Sequence, residues 1–453
     1  MARLRRVDKY TENLPPIETL KLRKSLSAPG LLNIIRDSFA SLKEHRKGNI
    51  SHSLVDSLMS GLAVFGFKSS SLLKFEEAMN QETTRGNLKS LYGVRDAPSD
   101  TQLRVILDPV KPARLRPAFI KIHQQLQRQK VMDPYRFLGG HLLLVDGTGI
   151  FSSNKINCSE CCVKGKKNPQ YYHQLLAGVI AHPDKKQVFP LFPEAITWQD
   201  GAKKNDCERN AGKRLFPEIR AAFPQRKFIV VEDGLASNGP HINLLKELNF
   251  NFILGVKAGD HDALFDDVQS KLQAGEMDEF EELDDSGVSR GYRFVNQLAL
   301  NKTHPDLLVN YLEHWEIKPG QKETIFSWVT DISLSRDNVV DVARGGRCRW
   351  KVENETFNTL KNQEYNLEHN YGHGKKHLAT NFANLMLLAF LIDQVQESCC
   401  PLFQLARKKF PTRTGLWMRM RIRFEMGIFN NWETLLKHII YSNARTPIQI
   451  NSP

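Results

Sequence analysis

Cysteine is scarce in this sequence, and no apolar run is long enough to cross a bilayer. Seven cysteines in 453 residues are an odd number and too few for a disulfide framework, which favours a reducing compartment. The longest apolar stretch, residues 383–392, is interrupted by Asn384, whereas a spanning helix needs about 20 apolar residues. The basic N-terminus leads into no apolar segment of the kind that secretory signals carry. We therefore expect a cytoplasmic protein with no membrane segment.

Acidic residues are fewer than basic residues in this sequence. The chain has 63 Lys and Arg against 50 Asp and Glu, which gives a formal net charge of +13. Such an excess favours a polyanionic partner, either nucleic acid or an anionic membrane surface. An apolar fraction of 41% and a charged fraction of 25% are ordinary for a globular protein. The length is sufficient for two to four domains.

The N-terminal part, residues 1–135, has apolar residues at helical spacing. Residues 31–39 are one example. Ser99 or Asp100 stands just before another run of apolar residues at helical spacing and can cap the helix that this run predicts. Short helices joined by short turns fit a helix-turn-helix-like DNA-binding region. They fit a small helical bundle equally well.

Beyond this region, predicted strands and helices alternate until about residue 256. From 257 to 335 the alternation breaks down into an acidic, turn-rich segment at 280–287 and three predicted strands, which indicates an antiparallel β insertion. The sequence thus predicts an α/β protein. Its predicted parts are an N-terminal helical region (1–135), a core (136–256 and 336–396), a β-rich insertion (257–335) and a basic helical tail (397–453).

Two aspartates share the same sequence setting. Residues 142–145 form a predicted buried strand that ends at Asp146 before a Gly-Thr-Gly turn. Residues 227–232 repeat this pattern and lead to Asp233 and a glycine. If the two strands are neighbours, their carboxylates meet at one sheet edge, where two like charges attract a divalent cation. Asp-Gly is also a common turn pair, so an ordinary turn is the alternative.

A third acid, Glu353, stands in a predicted helix. Arg349 lies four residues before it and shares its face. Trp350, Phe357 and Leu360 are predicted to form the apolar stripe of that helix. An acid beside a core-facing stripe, with basic residues a turn or two away, indicates a site. A plain helix salt bridge between Arg349 and Glu353 is the alternative.

Together these segments resemble the Asp-Asp-Glu (DDE) transposases of bacterial insertion sequences. The resemblance rests on Val-Asp-Gly-Thr, Val-Val-Glu-Asp-Gly and Arg-x-Arg-Trp-x-Val-Glu-x-x-x-Phe-x-x-Leu-Lys, in that order, and extends over about residues 140–390. It is strongest to the subgroup that has a Tyr-Arg-Glu-Lys signature and a β-rich insertion before the glutamate. It implies a ribonuclease-H-like catalytic core that cleaves DNA ends and transfers strands with two Mg²⁺ or Mn²⁺ ions.

The resemblance also implies roles for individual residues. Asp146, Asp233 and Glu353 would be the catalytic, metal-binding acids, with Glu355 as a reserve for the third. Two departures occur: Gly346 stands at the signature tyrosine, and the lysine is at position 361, one residue late. Phosphate contacts are implied for Arg349 and Lys361, and base stacking for Trp315 or Trp328, each of which is otherwise a core aromatic.

Partners and competing functions follow from the same resemblance. The expected partners are the terminal inverted repeats of an element and a target DNA, bound by a homodimer in the bacterial cytoplasm, where the protein would associate with the nucleoid. One alternative is a catalytically inactive DNA-binding protein derived from a transposase. Another is a stand-alone metal-dependent nuclease.

A second candidate site contains cysteine and histidine. Cys158, Cys161 and Cys162 form a C-x-x-C step followed by His173, a pattern that could hold a structural Zn²⁺ with an unassigned fourth ligand. Free loop cysteines are the alternative. His369, His373 and His377 recur at four-residue steps, but the glycines between them oppose a helical metal site. With Lys375 and Lys376, that loop is expected to face DNA or to be a solvated turn.

Overall fold

The computed structural model describes Leu20, residues 23–201 and residues 204–441, without the side chains of 204–207. The ends of the predicted N-terminal region and basic tail, residues 1–19, 21–22 and 442–453, therefore lie outside the described residues. The described chain is a mixed α/β structure with one large sheet and many helices. A single hydrophobic core runs from the N-terminal helices through the sheet to the C-terminal helices.

The N-terminal part is helical, as predicted. Several helices begin at a serine whose hydroxyl accepts a backbone N–H of the first turn; Ser99 forms a full capping box with Gln102. The helices are α1 (Ala28–Ala40), α2 (Leu54–Gly66), α3 (Leu72–Met79), α4 (Glu82–Tyr92), α5 (Asp100–Leu107) and α6 (Arg116–Arg128), with 3₁₀ turns at Lys24–Leu26, Pro112–Leu115 and Asp133–Tyr135.

The next part alternates strands and helices. Its strands are β1 (Arg136–Phe137), β2 (Gly140–Ser153), β3 (Cys162–Lys164), β4 (Gln170–Ala181), β5 (Phe189–Pro190), β6 (Glu194–Ile196), β7 (Phe228–Glu232) and β8 (Asn251–Gly255). Its helices are α7 (Lys204–Ala222) and α8 (Gly239–Glu247), with a 3₁₀ turn at Trp198–Asp200. β2 pairs antiparallel with β4 and parallel with β7, and β7 pairs parallel with β8.

The prediction that the first strand stops at Asp146 is wrong. Strand β2 continues through Gly147, Thr148 and Gly149 because these residues pair with β4, from Asp146↔Ala177 to Gly149↔Gln174. Local turn preference is overridden by long-range pairing. Strand β7, the parallel neighbour of β2, does end close to Asp146, since the last residue pair between the two strands is Leu144 and Val231.

The segment from 257 to 335 adds four antiparallel strands to the same sheet. They are β9 (Asp278–Leu283), β10 (Ser289–Asn301), β11 (His304–Ile317) and β12 (Thr324–Thr330), and β12 pairs with β8. Helix α9 (Asp262–Gln273) and a 3₁₀ turn at Ala258–Asp260 precede them. The three predicted strands are confirmed. The acidic segment at 280–287 was predicted to be turn-rich, but its first half is strand, because β9 pairs with β10.

The predicted helix at 338–363 is interrupted. Helix α10 (Val339–Arg347) is followed by a turn, a π-helical stretch (Val352–Phe357) and the short α11 (Asn358–Asn362). The remaining helices are α12 (Leu378–Cys399), α13 (Pro401–Lys409), α14 (Arg413–Met426) and α15 (Trp432–Tyr441). Within the described chain, α12 is the one helix long and apolar enough to cross a membrane, but it is almost entirely buried inside the protein, as a core helix is.

Candidate active site

The two predicted aspartates lie at the same level of two neighbouring parallel strands. Leu144 on β2 is opposite Val231 on β7. Two residues further along each strand, this register brings Asp146 opposite Asp233, directly beyond the end of β7. In a strand, residues two apart point to the same face. The two carboxylates therefore belong to one end of the parallel pair, as the repeated sequence pattern predicted.

Glu353 approaches this pair from the interrupted helix, and Arg349 connects the acids. The Nη1 atom of Arg349 donates a hydrogen bond to Asp146 Oδ2 at 2.9 Å and lies 3.3 Å from Glu353 Oε1. The Arg349–Glu353 helix pair is thus present, but it is not an isolated surface pair, because the same guanidinium binds a strand residue. Asp146 is only 16% exposed in its side chain, whereas Glu353 is 54% exposed. The three charges form a partly exposed cluster.

Electrostatics link all three acids. The pKa of the Asp146 carboxyl is raised to about 6: burial raises it most, the Arg349 guanidinium and the Gly147 N–H lower it, and the charges of Asp233 and Glu353 add smaller increases. Asp146 is therefore sensitive to both other acids. The reserve acid, Glu355, instead acts on Lys351 and Arg413. Glu353, rather than Glu355, faces the aspartates.

The π-helical stretch sets the position of Lys361 relative to Glu353. A π turn inserts one residue into an α-helix, so positions beyond it are displaced by one. This stretch begins next to Glu353 and ends before Leu360. In a regular helix, the residue seven positions after Glu353 would share its face. With one residue inserted, the residue eight positions after Glu353 takes that place. That residue is Lys361, whose Nζ forms an ion pair with Glu368 at 2.7 Å.

Gly346 is explained by a ring from the neighbouring strand. A Cβ at position 346 would lie 2.5 Å from Trp328 Cε2 and 2.6 Å from its Nε1. The indole therefore occupies the volume that a tyrosine side chain at this position would need. Trp328 also stacks on Phe326, with ring centroids 5.9 Å apart and 10° between the planes.

The burial of the three tryptophans agrees with the prediction only in part. Trp315 and Trp328 are both buried, which agrees with the core-aromatic alternative. Trp350 was predicted to be part of the apolar stripe, but it is 45% exposed, while Val352 is fully buried. Phe357 and Leu360 are buried as the stripe prediction requires, and only Trp350 departs from it, because the turn at 348–349 and the π stretch interrupt the regular helix.

Gly147 lies against a side chain of helix α7. A Cβ there would lie 2.5 Å from Glu208 Oε1, a carboxylate of helix α7. By strand alternation, Gly147 faces the side of the sheet opposite to the Asp146 side chain. Glu208, an acid that the sequence reasoning did not identify, therefore lies across the sheet from the Asp146 carboxylate. A Cβ at Gly149 would meet nothing within 4 Å, so that glycine lies open.

The cysteine and histidine residues form a separate cluster. Cys158, Cys161 and His173 come together as predicted, but the fourth member is His373. Cys162 does not join them, because it is the first residue of β3 and its Sγ lies 3.8 Å from the Ile196 carbonyl oxygen. Burial raises the pKa of the Cys161 thiol to about 11 and lowers the pKa of His173 to about 4.

The three histidines of the glycine-rich loop have different environments. His373 is buried in the cluster, the His369 ring lies against Tyr371, and His377 Nδ1 lies 3.5 Å from Glu160 Oε2. The prediction against a three-histidine helical site agrees with this, but the prediction missed that one of the three completes the cysteine site. Sequence spacing offered no signal, because His373 is 200 residues from His173.

Comparison with known proteins adds little to the site. No protein-family model matches the chain, and no curated protein matches it either. Among solved structures, it is similar to a cryo-EM structure of the piggyBac transposase synaptic complex with hairpin DNA. The identity is 9% and the TM-score is 0.39, over 94% of this chain and 81% of that chain. A TM-score of this size does not establish a shared fold, so the functional argument depends on the site residues.

Proposed function

We propose that this protein is a DNA transposase that cuts the ends of a mobile element and joins them to target DNA. The reaction would depend on divalent metal ions held by Asp146, Asp233 and Glu353. The observation that carries the proposal is that three acids far apart in sequence meet at one end of a parallel strand pair, with Arg349 bridging two of them. The resemblance to bacterial DDE transposases, read from the sequence, supports the same conclusion.

The strand order supports a ribonuclease-H-like core for this activity. β4 and β2 are antiparallel, and β7 and β8 follow β2 in parallel. The first acid is on the long central strand, and the second directly follows its parallel neighbour. The strands β9–β12 extend the sheet between the second acid and the third, which is the position of the insertion in the resembling subgroup.

The donor set fits Mg²⁺ or Mn²⁺. Carboxylate oxygens are hard ligands of the kind these ions prefer. The Arg349 guanidinium supplies a positive charge between Asp146 and Glu353, so a cation at this cluster is electrostatically favourable. When bound, two such ions would stabilise the attacking and the leaving oxygen of a phosphodiester exchange. No protein nucleophile is required.

The residues of the chain itself have separate tasks in this proposal. Asp146 and Asp233 would be held rigidly by the strand pair, and Glu353 by the helix. Arg349, once a metal ion neutralises the acids, would be available to bind a phosphate oxygen in a bidentate manner. Lys361 is a second candidate for phosphate contact, and Glu368 holds it meanwhile. The protein would act as a homodimer on two element ends.

The test is cleavage and joining of DNA that carries the sequences flanking the reading frame. With Mn²⁺ or Mg²⁺, the wild-type protein is expected to nick or cut at terminal inverted repeats and to join the ends to a plasmid. Asp146→Asn and Asp233→Asn are expected to abolish both steps and to leave DNA binding in a mobility-shift assay largely intact. Each acid-to-amide change typically removes several orders of magnitude of metal-dependent rate.

The outcomes separate the competing functions. Cleavage without joining would replace the transposase by a stand-alone nuclease. Binding without any metal-dependent cleavage by the wild-type protein would replace it by a DNA-binding protein that has lost its activity.

A further inference from the structure

We propose that Cys158, Cys161, His173 and His373 bind one structural Zn²⁺ ion. All four ligand atoms lie within 4.8 Å of one another, and three of the four residues are buried. The site is separate from the three acids, and the proposal does not depend on the proposed function. A Cys₂His₂ donor set in a closed site is typical of structural zinc rather than of a catalytic metal.

Five of the six distances between the ligand atoms lie within about 0.4 Å of those of a tetrahedral zinc site, and the sixth, from Cys158 Sγ to His373 Nε2, is within 4.8 Å. With Zn–S of about 2.3 Å and Zn–N of about 2.05 Å, a regular tetrahedron has about 3.8 Å between sulfurs, about 3.6 Å between sulfur and nitrogen, and about 3.3 Å between nitrogens. Here the two Sγ atoms are 3.8 Å apart, and the two Nε2 atoms are 3.2 Å apart. His173 Nε2 lies 3.4 Å and 3.5 Å from the two sulfurs, and His373 Nε2 lies 3.2 Å from Cys161 Sγ.

A disulfide between the two cysteines does not fit these atoms. A disulfide requires sulfurs about 2.05 Å apart, whereas these are 3.8 Å apart and each also contacts an imidazole nitrogen. The backbone agrees with metal binding. The Cys158 N–H points to Cys161 Sγ at 3.4 Å, so the C-x-x-C turn already supplies a donor that would stabilise a thiolate.

The second histidine is oriented by its own loop. The Nδ1 atom of His373 donates to the Gly374 carbonyl oxygen at 2.8 Å, which leaves Nε2 with its lone pair toward the cluster. Asp108 holds the following residues, because its Oδ1 accepts the backbone N–H groups of Lys376, His377 and Leu378. The ring of Phe151 covers the site, with its centroid 4.7 Å from that of His373.

The ion would tie together parts of the chain that carry the proposed active site. Cys158 and Cys161 lie in the loop after β2, the strand of Asp146, and His173 is on the adjacent β4. His373 is in the loop that follows the helix of Glu353. A single zinc would therefore fix the strand acid and the end of the Glu353 helix relative to each other. His377 and Glu160 already connect the same two loops.

The first test is metal content of the full-length protein. Wild-type protein purified without added chelator is expected to contain about one zinc ion per chain by inductively coupled plasma mass spectrometry. Replacement by Co²⁺ is expected to produce the visible absorption of a tetrahedral site, with a thiolate-to-cobalt charge-transfer band for two sulfurs. Absence of zinc after growth with Zn²⁺, or an octahedral cobalt spectrum, would overturn the proposal.

Variants assign the ligands. Cys161→Ser and His373→Ala are expected to reduce the zinc content to below about a tenth of the wild-type value. The matched controls are Cys162→Ser and His369→Ala, neighbours of the same residue types that lie outside the cluster, and both are expected to keep the metal. Retention of full zinc by His373→Ala would contradict the assignment. If a ligand variant does not fold, the cobalt spectrum of the wild-type protein still tests the two-sulfur donor set.

Discussion

Arg349 and Asp146 are 203 positions apart in sequence and are joined by a hydrogen bond of 2.9 Å from Nη1 to Oδ2. The same nitrogen also lies 3.3 Å from Oε1 of Glu353, four residues further along the chain. One guanidinium therefore contacts both an acid of the central strand and an acid of the interrupted helix. In the proposed enzyme it would hold the acids together until metal ions and DNA bind.

Loss of Arg349 is expected to shift the pH dependence of metal binding. Asp146 must be ionised to bind a metal ion, so Mn²⁺ binding by the wild-type protein should weaken as pH falls through about 6. Arg349 is the main group that lowers the pKa of Asp146 against burial. In Arg349→Gln the midpoint should therefore move to higher pH, and Arg349→Lys should restore part of the shift. Electron paramagnetic resonance of Mn²⁺ measures this; an unchanged midpoint in Arg349→Gln would count against the bridge.

Asp146→Asn is expected to stabilise the protein while it removes activity. The pKa of Asp146 is raised from its usual 3.8 to about 6, so its ionisation costs folding free energy as pH rises from about 4 to about 6. Two pKa units correspond to on the order of 2–3 kcal/mol. In thermal denaturation at pH 8, the unfolding temperature of the variant should be a few degrees above that of the wild type. At pH 4 the two unfolding temperatures should be equal.

The control for that experiment is an aspartate with the opposite shift. A hydrogen bond from Arg344 lowers the pKa of Asp184. Its ionisation therefore favours the folded state at neutral pH, and Asp184→Asn should not stabilise the protein at pH 8. An equal gain in both variants would mean that general charge reduction, not the burial of Asp146, is responsible.

Gly346→Tyr is expected to destabilise the protein even though it restores the family signature. The Trp328 indole fills the space in which the new side chain would begin, and overpacking of this kind costs about 1–3 kcal/mol. The double variant Gly346→Tyr with Trp328→Gly should recover part of this loss in chemical denaturation. If the single variant is as stable as the wild type, Trp328 is not what excludes a side chain at position 346.

Lys375 and Lys376 are exposed in the loop that holds His373, and we expect them to contact DNA phosphates. The double change Lys375→Gln with Lys376→Gln should reduce the slope of log affinity against log salt by about 1–2, because each phosphate contact contributes about 0.9. Fluorescence anisotropy at several salt concentrations measures the slope. The control is Lys227→Gln with Lys246→Gln, two exposed lysines at the start of β7 and the end of α8, away from the acids. Equal slopes in both double variants would contradict the prediction.

Much of the site could be predicted because its signals are local. The runs before Asp146 and Asp233 are apolar and rich in β-branched or leucine side chains, which predicts buried strands. Because the two strands are parallel neighbours, the residues that follow them lie at the same end of the sheet. Glu353 was identified by its position four residues after Arg349, and the two side chains do meet, although the π stretch begins between them at Val352.

The remaining features depend on long-range contacts. The continuation of β2 through Gly147 and Gly149 is imposed by pairing with β4, against the turn preference of those residues. Trp350 is exposed where the helix is interrupted by the turn at 348–349 and the π stretch from Val352, an interruption that no residue pattern predicts. His373 joins cysteines more than 200 positions away, so its role becomes visible only when the two loops are seen together.

The most direct test of the central claim compares Glu353→Gln with Glu355→Gln in Mn²⁺-dependent cleavage of DNA that carries the flanking repeats. The two acids are two residues apart in the same π-helical stretch, but only Glu353 contacts Arg349 and acts on Asp146. Glu353→Gln should lose cleavage by at least about a thousandfold, and Glu355→Gln should stay within a few-fold of the wild type. Full cleavage by Glu353→Gln, or its loss in Glu355→Gln alone, would contradict this account of the site.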